Sequence, residues 1–306
     1  MPAKLFSYFM PMKVHIPKKS RYSSEQTNQL FCTSFFFIAF VLAAFSSPAQ
    51  YFYKDIWSNQ QLSREFNILK KDHLNTIRLK SFDEDGQPSD GFDCEKKINK
   101  DYTQSQMLSK SNVTSQSLLT VDYNINGQPI KTEDETPAST STTEYQYNAG
   151  GHLQFMSIVT KGDDDSIAIT ETHEYVYDAA GRPEKMIRKK NNVIVATFTF
   201  LVDSAGNIIE EDPAGSAADT KFYYYYDDRN RLTDVVRYNN QAQRLLPEYM
   251  YEYNAQDLPE QMISTEEGSS NYLIWRYTYN EKELVSSEKC FSKQKELLGT
   301  IEYEYN

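Results

Sequence analysis

Tyrosines two apart, then a short polar run, then a return of aliphatic residues: this order recurs along most of the chain. One copy reads Tyr145-Gln146-Tyr147-Asn148-Ala149-Gly150-Gly151-His152-Leu153 and another Tyr175-Val176-Tyr177-Asp178-Ala179-Ala180-Gly181-Arg182-Pro183. Strand side chains alternate between faces, so Tyr-x-Tyr places both rings on one face of a strand. The Asx-x-x-Gly that follows offers a side chain able to bond its own turn and a residue free to take left-handed angles. The return strand begins two residues later, as in Leu153–Val159 and Leu232–Tyr238. Each repeat is therefore predicted to be two strands of an antiparallel meander.

With the Asx as anchor, the phrase falls at Asp83, Asn124, Asn148, Asp178, Asp203, Asp227, Asn254, Asn280 and Asn306. The first interval is 41 residues and the other seven lie between 24 and 30. Self-similarity at such a period marks a stacked-repeat architecture. The predicted fold is all-β, with antiparallel β-hairpin repeats stacked into an extended, curved or twisted sheet. The glycine position holds Gly86, Gly127, Gly151, Gly181 and Gly206, then Asn230, Asp257 and Glu283. Asn and Asp tolerate positive φ; Glu283 predicts a looser turn.

The phrases Tyr177-Asp178-Ala179-Ala180-Gly181-Arg182-Pro183 and Tyr226-Asp227-Asp228-Arg229-Asn230-Arg231-Leu232 resemble the YD repeats of Rhs-type bacterial proteins, over roughly residues 74–306. The resemblance implies β-strand ribbons that coil into a shell around a toxin cargo, or that act as surface and carbohydrate-interacting modules. This chain departs from that pattern in its longer period, in having too few repeats to enclose a cargo, and in ending inside a repeat. Asp212-Pro213-Ala214-Gly215 is similar to the boundary motif that precedes such toxins, but with further repeats after it, it reads as a turn.

The first 30 residues carry Lys4, Lys13, Lys18, Lys19 and Arg21 against Glu25, and an apolar run, Phe31–Phe45, follows. Ser47-Pro48-Ala49 supplies a small-residue exit, so the segment reads as a secretory signal peptide cleaved after Ala49 or Gln50. A retained anchor is the competing reading, against which the run is shorter than the roughly 20 residues needed to span a bilayer. The chain then divides into a signal peptide (1–49), an irregular N-terminal cap with a first degenerate repeat (50–115), and the repeat domain (116–306). Within the cap, Tyr51–Trp57 reads as a starting strand and Ser58–Lys71 as a short helix or irregular segment.

Cleavage leaves 27 basic against 42 acidic residues. That balance disfavours nucleic acid, whose binding depends on Lys and Arg at phosphates, and an anionic membrane surface. Cys94 and Cys290 read as two unpaired thiols, with a disulfide as the alternative in an oxidising compartment. His173 and Glu174 are neighbours on a strand, so they point to opposite faces and cannot share a metal. Asp163-Asp164-Asp165 reads as a solvated loop rather than a calcium site, and Asn112-Val113-Thr114 is a glycosylation sequon in form only. No catalytic constellation, metal site or cofactor motif stands out.

The 23 tyrosines are the compositional anomaly. Tyr145, Tyr147, Tyr175, Tyr177, Tyr224, Tyr226, Tyr251, Tyr253, Tyr277 and Tyr279 would form ladders along a stack. Such ladders serve either as core, through aromatic cross-strand pairs, or as an exposed strip that stacks on sugar rings. The functional expectation is an exported, non-enzymatic binding or scaffold module at the bacterial cell envelope. Its partner would be a glycan or another envelope protein, its location periplasmic, surface or secreted. The alternative is an envelope enzyme acting on polysaccharide or peptide in a groove of the sheet. A cluster of ionisable groups with perturbed pKa values in a concavity would favour the enzyme.

Overall fold

The computed structural model describes residues 52–112, 114–162, 168–214, 220–239, 243–265 and 271–306. The signal peptide with its cleavage site at Ala49 and Gln50, the central residue of the sequon and the Asp163–Asp165 run lie outside them. The described strands are β1 (Thr76–Asp83), β2 (Asp93–Ile98), β3 (Gln104–Lys110), β4 (Ser117–Tyr123), β5 (Pro129–Glu135) and β6 (Ser139–Tyr147). Next come β7 (Leu153–Gly162), β8 (Ala168–Tyr177), β9 (Pro183–Lys190), β10 (Val193–Val202), β11 (Ile208–Pro213) and β12 (Phe222–Tyr226). The series ends with β13 (Leu232–Asn239), β14 (Arg244–Tyr253), β15 (Pro259–Thr265), β16 (Tyr272–Tyr279), β17 (Val285–Phe291) and β18 (Leu297–Tyr305).

Every strand pairs antiparallel with its neighbours in sequence, as the two-strand repeat predicts. The sheet is not open, however. β1 pairs with β2 on one side and with β18 on the other, Arg78 opposite Glu304 and Lys80 opposite Glu302, so 18 strands close into a barrel. This corrects the expectation of an extended, stacked sheet: closure removes the two unpaired edges that an open sheet would expose.

One end of the barrel carries eight Asx turns; those at Asn124, Asn148, Asp178, Asp203, Asp227, Asn254 and Asn280 share one design, and the one at Asn99 is one residue longer, its N–H bonding the Gln104 carbonyl. At Asn148, for example, the side-chain carbonyl accepts the backbone N–H groups of Gly150 and His152 at 2.9 and 3.0 Å. Gly151 closes the turn at φ +78° with its N–H on the Asn148 carbonyl. Glu283 does the same at φ +62°, with bonds as short as its neighbours', so the turn at Asn280 is no looser than the rest. Asp83 is a turn of the same geometry at the opposite end, where β1 meets β2. The true member of the series is Asn99, with Tyr102 at φ +50° in the glycine place; it lies 25 residues before Asn124, which removes the long first interval. Residues 76–110 are accordingly three full strands of the barrel wall and not an irregular cap.

A register shift falls at the last inward residue before the turn in seven hairpins, at Tyr123, Tyr147, Tyr177, Val202, Tyr226, Tyr253 and Tyr279. A β-bulge inserts one residue and so switches the phase of alternation. It explains why Leu232 and Val235, three residues apart, are both buried in the barrel while Val236 points out.

Residues 52–75 fill the interior. A π-helical turn (Phe52–Trp57) runs into helix α1 (Ser58–Lys71), which replaces the strand expected at Tyr51–Trp57. The α1 sequence lacks Gly and Pro, spaces Leu62, Phe66 and Leu69 on one face, and ends with Lys70 and Lys71 where the helix dipole favours cations. His73, at φ +57°, closes it: Leu74 donates back to Leu69 and His73 to Lys70, an αL cap that turns the chain into β1.

Candidate functional site

The Tyr-x-Tyr ladder lines the inside of the wall. Tyr175, Tyr224, Tyr251 and Tyr277 are buried, Tyr145 is half-buried, and all belong to one apolar cluster with Tyr53 and Ile56 of the plug. The second tyrosine of each pair is half-buried and bridges repeats. The Tyr147, Tyr177, Tyr226 and Tyr279 hydroxyls donate to the backbone carbonyls of Pro129, Leu153, Ile208 and Pro259 at 2.5–2.9 Å, and Tyr253 donates likewise to Leu232. Each of those carbonyls opens the return strand of the preceding hairpin in the stitched series. These ten tyrosines are core and inter-repeat stitching, and an open sugar-stacking strip is not what they form.

The plug meets this ladder through aromatic stacking and buried charge. Tyr53 stacks between Trp57 and Tyr249, with ring centroids 4.8 and 5.0 Å away. Phe66 lies flat on Tyr123 at 3.6 Å. Asn59 donates to the Tyr147 hydroxyl at 2.8 Å. The Phe52 N–H and the Tyr224 hydroxyl both donate to Glu211, which is fully buried, at 3.0 and 2.9 Å. On the other flank the Lys96 ammonium reaches Glu65 of α1 at 3.0 Å.

The densest constellation joins Asp55 of the plug to β8 and β9. The Asp55 carboxylate accepts His173 Nδ1 at 2.6 Å and the Tyr175 hydroxyl at 2.7 Å. His173 Nε2 faces Glu171 at 2.9 Å, and Glu171 in turn accepts Nε and Nη2 of Arg188, both at 2.8 Å. Burial opposes a charge on His173, but the two carboxylates outweigh it and lift its pKa to about 9. Burial likewise opposes the Glu171 charge, and bonds from His173 and Arg188 overcome it and lower its pKa to about 2. The four groups therefore alternate in sign as a compensated chain. With a carboxylate on each ring nitrogen, both N–H groups of a protonated His173 are engaged as donors within the chain. Glu174 points outward to Lys189, as alternation predicts.

A further buried carboxylate, Glu288, accepts the Tyr303 hydroxyl at 2.7 Å. Burial pushes its pKa up to about 7 against that hydrogen bond. Cys94 and Cys290 are buried and are not joined in a disulfide; burial raises Cys94 to about 12, out of reach of thiolate chemistry at neutral pH. Among the described residues no group of His, Cys, Asp and Glu is arranged to hold a metal, and no helix is long and apolar enough to cross a membrane.

The outer wall is chemically the reverse. Arg78 pairs with Glu95 at 2.8 Å, Lys131 with Glu133 at 2.8 Å and Lys221 with Glu210 at 2.6 Å, and Lys80 pairs with Glu304 across the closing seam. A shallow groove of about 500 Å³ beside β1 and β2 is lined by Arg78, Lys80, Asp93 and Glu95 among others. Among the described residues, aromatics that the repeat phrase leaves over and that face out include Tyr223, Tyr225 (48% exposed) and Tyr238 (36%). Their phase was readable, since Tyr224 and Tyr226 hold the two inward positions before Asp227.

No protein family and no curated protein matches the sequence. Solved structures similar in shape include the TcdB2-TccC3-Cdc42 crystal structure, at 11% identity and TM-score 0.30, covering 67% of this chain and 13% of that one. Porin-like proteins of Bacteroides uniformis (11% identity, TM-score 0.36) and Bacteroides vulgatus (12%, 0.28) are each covered over 98% of their length by 76% of this chain. Likeness at that level carries no inference about what this barrel does.

Proposed function

We propose that this chain is an exported, non-enzymatic barrel of YD/Rhs-like repeats that acts as a binding or scaffold module at the bacterial cell envelope, in the periplasm, at the cell surface or secreted. The observation that carries the reading is the occupancy of the interior. Three groups with strongly perturbed protonation, Asp55's partners His173 and Tyr175 and Glu211's partner Tyr224, face the plug and are bonded to it or to a carboxylate that it also bonds. Perturbed groups gathered in an open cleft would favour an enzyme; here they hold the core together. The working surface is then the outer wall. Its ion pairs suit water, because the lipid-facing band of a membrane barrel is apolar and charges there are costly. Tyr225 and Leu201, both about half exposed, offer apolar contact to a glycan or a second envelope protein.

The test is to incubate the purified protein with peptidoglycan and envelope polysaccharides, and to measure both the bound fraction and any released fragments. Saturable binding without fragments, weakened by Tyr225→Ala with the fold intact, is the expected result. Release of fragments, or no binding to any of them and to no envelope protein, would overturn it.

A further inference from the structure

The outer wall is not uniform. Following the register from β12 to β18, the residues side by side on its outer face are Tyr225, Asp234, Met250, Ile263, Ile274, Phe291 and Leu297. Their chain neighbours Tyr224, Tyr251, Met262, Trp275 and Cys290 are buried in the barrel core, which fixes the belt on the outside. The equivalent row on the opposite side, from β2 to β8, reads Lys97, Gln106, Thr120, Glu133, Thr142, Val159 and Thr170. The first row thus carries six apolar side chains out of seven and the second carries one. Ile274 is only 6% exposed although it points outward, and Ile263 and Phe291 flank it in register.

The charges beside the belt on β13 to β17 change sign from one end to the other. Asp234 and Glu252 stand at the β13–β14 end. At the β16–β17 end are Arg276, whose guanidinium covers the Phe291 ring at 5.2 Å, Lys289, and just beyond β17 Lys293, which covers Tyr272 at 5.6 Å. Glu252, Gln261, Arg276 and Lys289 form one continuous row above the belt, acidic at one end and basic at the other.

A surface with an apolar middle, acid at one end and base at the other is complementary to itself after a half-turn. In an isologous interface the same patch serves both subunits. We infer that the belt is a self-association surface, with a two-fold axis near Ile263 that lays Asp234 and Glu252 of one copy against Arg276, Lys289 and Lys293 of the next. Six strand spacings of about 4.8 Å make the belt ~29 Å long, close to the width of an ordinary interface of ~800 Å² per partner. This inference rests on the outer wall being the working surface, and it names the second copy as an occupant.

Sedimentation of the purified full chain tests it. The wild type should dimerise with concentration. Asp234→Lys/Glu252→Lys and Arg276→Glu/Lys289→Glu should each weaken the dimer by at least about a hundredfold, since like charges then face each other. An equimolar mixture of the two variants should recover a heterodimer, which also shows that both variants are folded. A wild type that stays monomeric throughout the micromolar range, or a dimer indifferent to either swap, would overturn the inference. Envelope-ligand binding is measured separately, so a failure there leaves the sedimentation result standing, and the reverse holds too.

Discussion

The two faces of the barrel wall are made by alternate residues of the same strands, yet they obey different rules. On β8, Glu171, His173 and Tyr175 point inward and are tied to Asp55 and Arg188, while Glu174 on the outside pairs with Lys189 at 2.5 Å. Both faces contain ion pairs. Inside, each charge has lost its water and depends on its partner; outside, solvent substitutes for a missing partner at almost no cost. A count of ion pairs would rank the faces as equals, whereas burial ranks them by several kcal/mol.

Substitutions on the two faces should therefore differ most. Asp55→Ala removes one of the two carboxylates that hold the buried His173 cation and should cost ~3–5 kcal/mol in denaturant unfolding, as breaking a buried pair does. Phe66→Ala, which empties the stack on Tyr123, belongs to the same ~3–5 kcal/mol class. If either variant unfolds at the wild-type midpoint, the helix is not packed inside the barrel.

The pH dependence sharpens the contrast. The folded pKa of His173, about 9, lies above its ordinary 6.5, so its contribution is fully present below pH 6.5 and is lost as pH rises through 9. Glu288 acts in the same direction lower down: its folded value of about 7 lies above 4.5, so stability falls as pH climbs between those values. The melting temperature should decline from pH 6.5 to 9 in the wild type, and less so in His173→Gln. Equal slopes would mean that the inner charge chain does not form.

Smaller effects belong to the rim and the outside. Asn148→Ala removes the acceptor of two backbone N–H groups in one exposed turn and should cost ~1 kcal/mol. Lys80→Ala, which breaks an exposed pair with Glu304, should change stability by ~0–1 kcal/mol. A loss beyond 2 kcal/mol there would erase the distinction between the faces.

The local rules of this fold are legible in the sequence because they are written in neighbouring residues. Tyr145, Tyr147 and Asn148 give the strand phase and the turn, and Leu153 marks the return. The bulge beside Tyr226 leaves a trace in the sequence only as the imperfect alternation of Leu232, Asp234, Val235 and Val236. The register failed at its start, where Lys96-Lys97-Ile98-Asn99 has no aromatic pair and Tyr102 replaces the glycine, so Asp83 took the place of Asn99. Closure was not legible at all, since it depends on β1 meeting β18 more than 200 residues away. The plug was hidden for the same reason. Nothing local to Asp55 points to His173, 118 residues later, and a polar helix with a short apolar stripe fits a surface as well as a core.

The central claim is that the wall closes around its own N-terminal helix, and the seam between β1 and β18 tests it most directly. Arg78 and Glu304 are opposed across that seam on the outer face. Directly opposed antiparallel residues have Cα atoms about 4.5–5.5 Å apart, within the span of a disulfide. In an Arg78→Cys/Glu304→Cys variant, mild oxidation followed by peptide mapping should find the two positions joined within one chain. A variant whose new cysteines remain free, or join only between chains, would show that the sheet is open and would contradict the barrel.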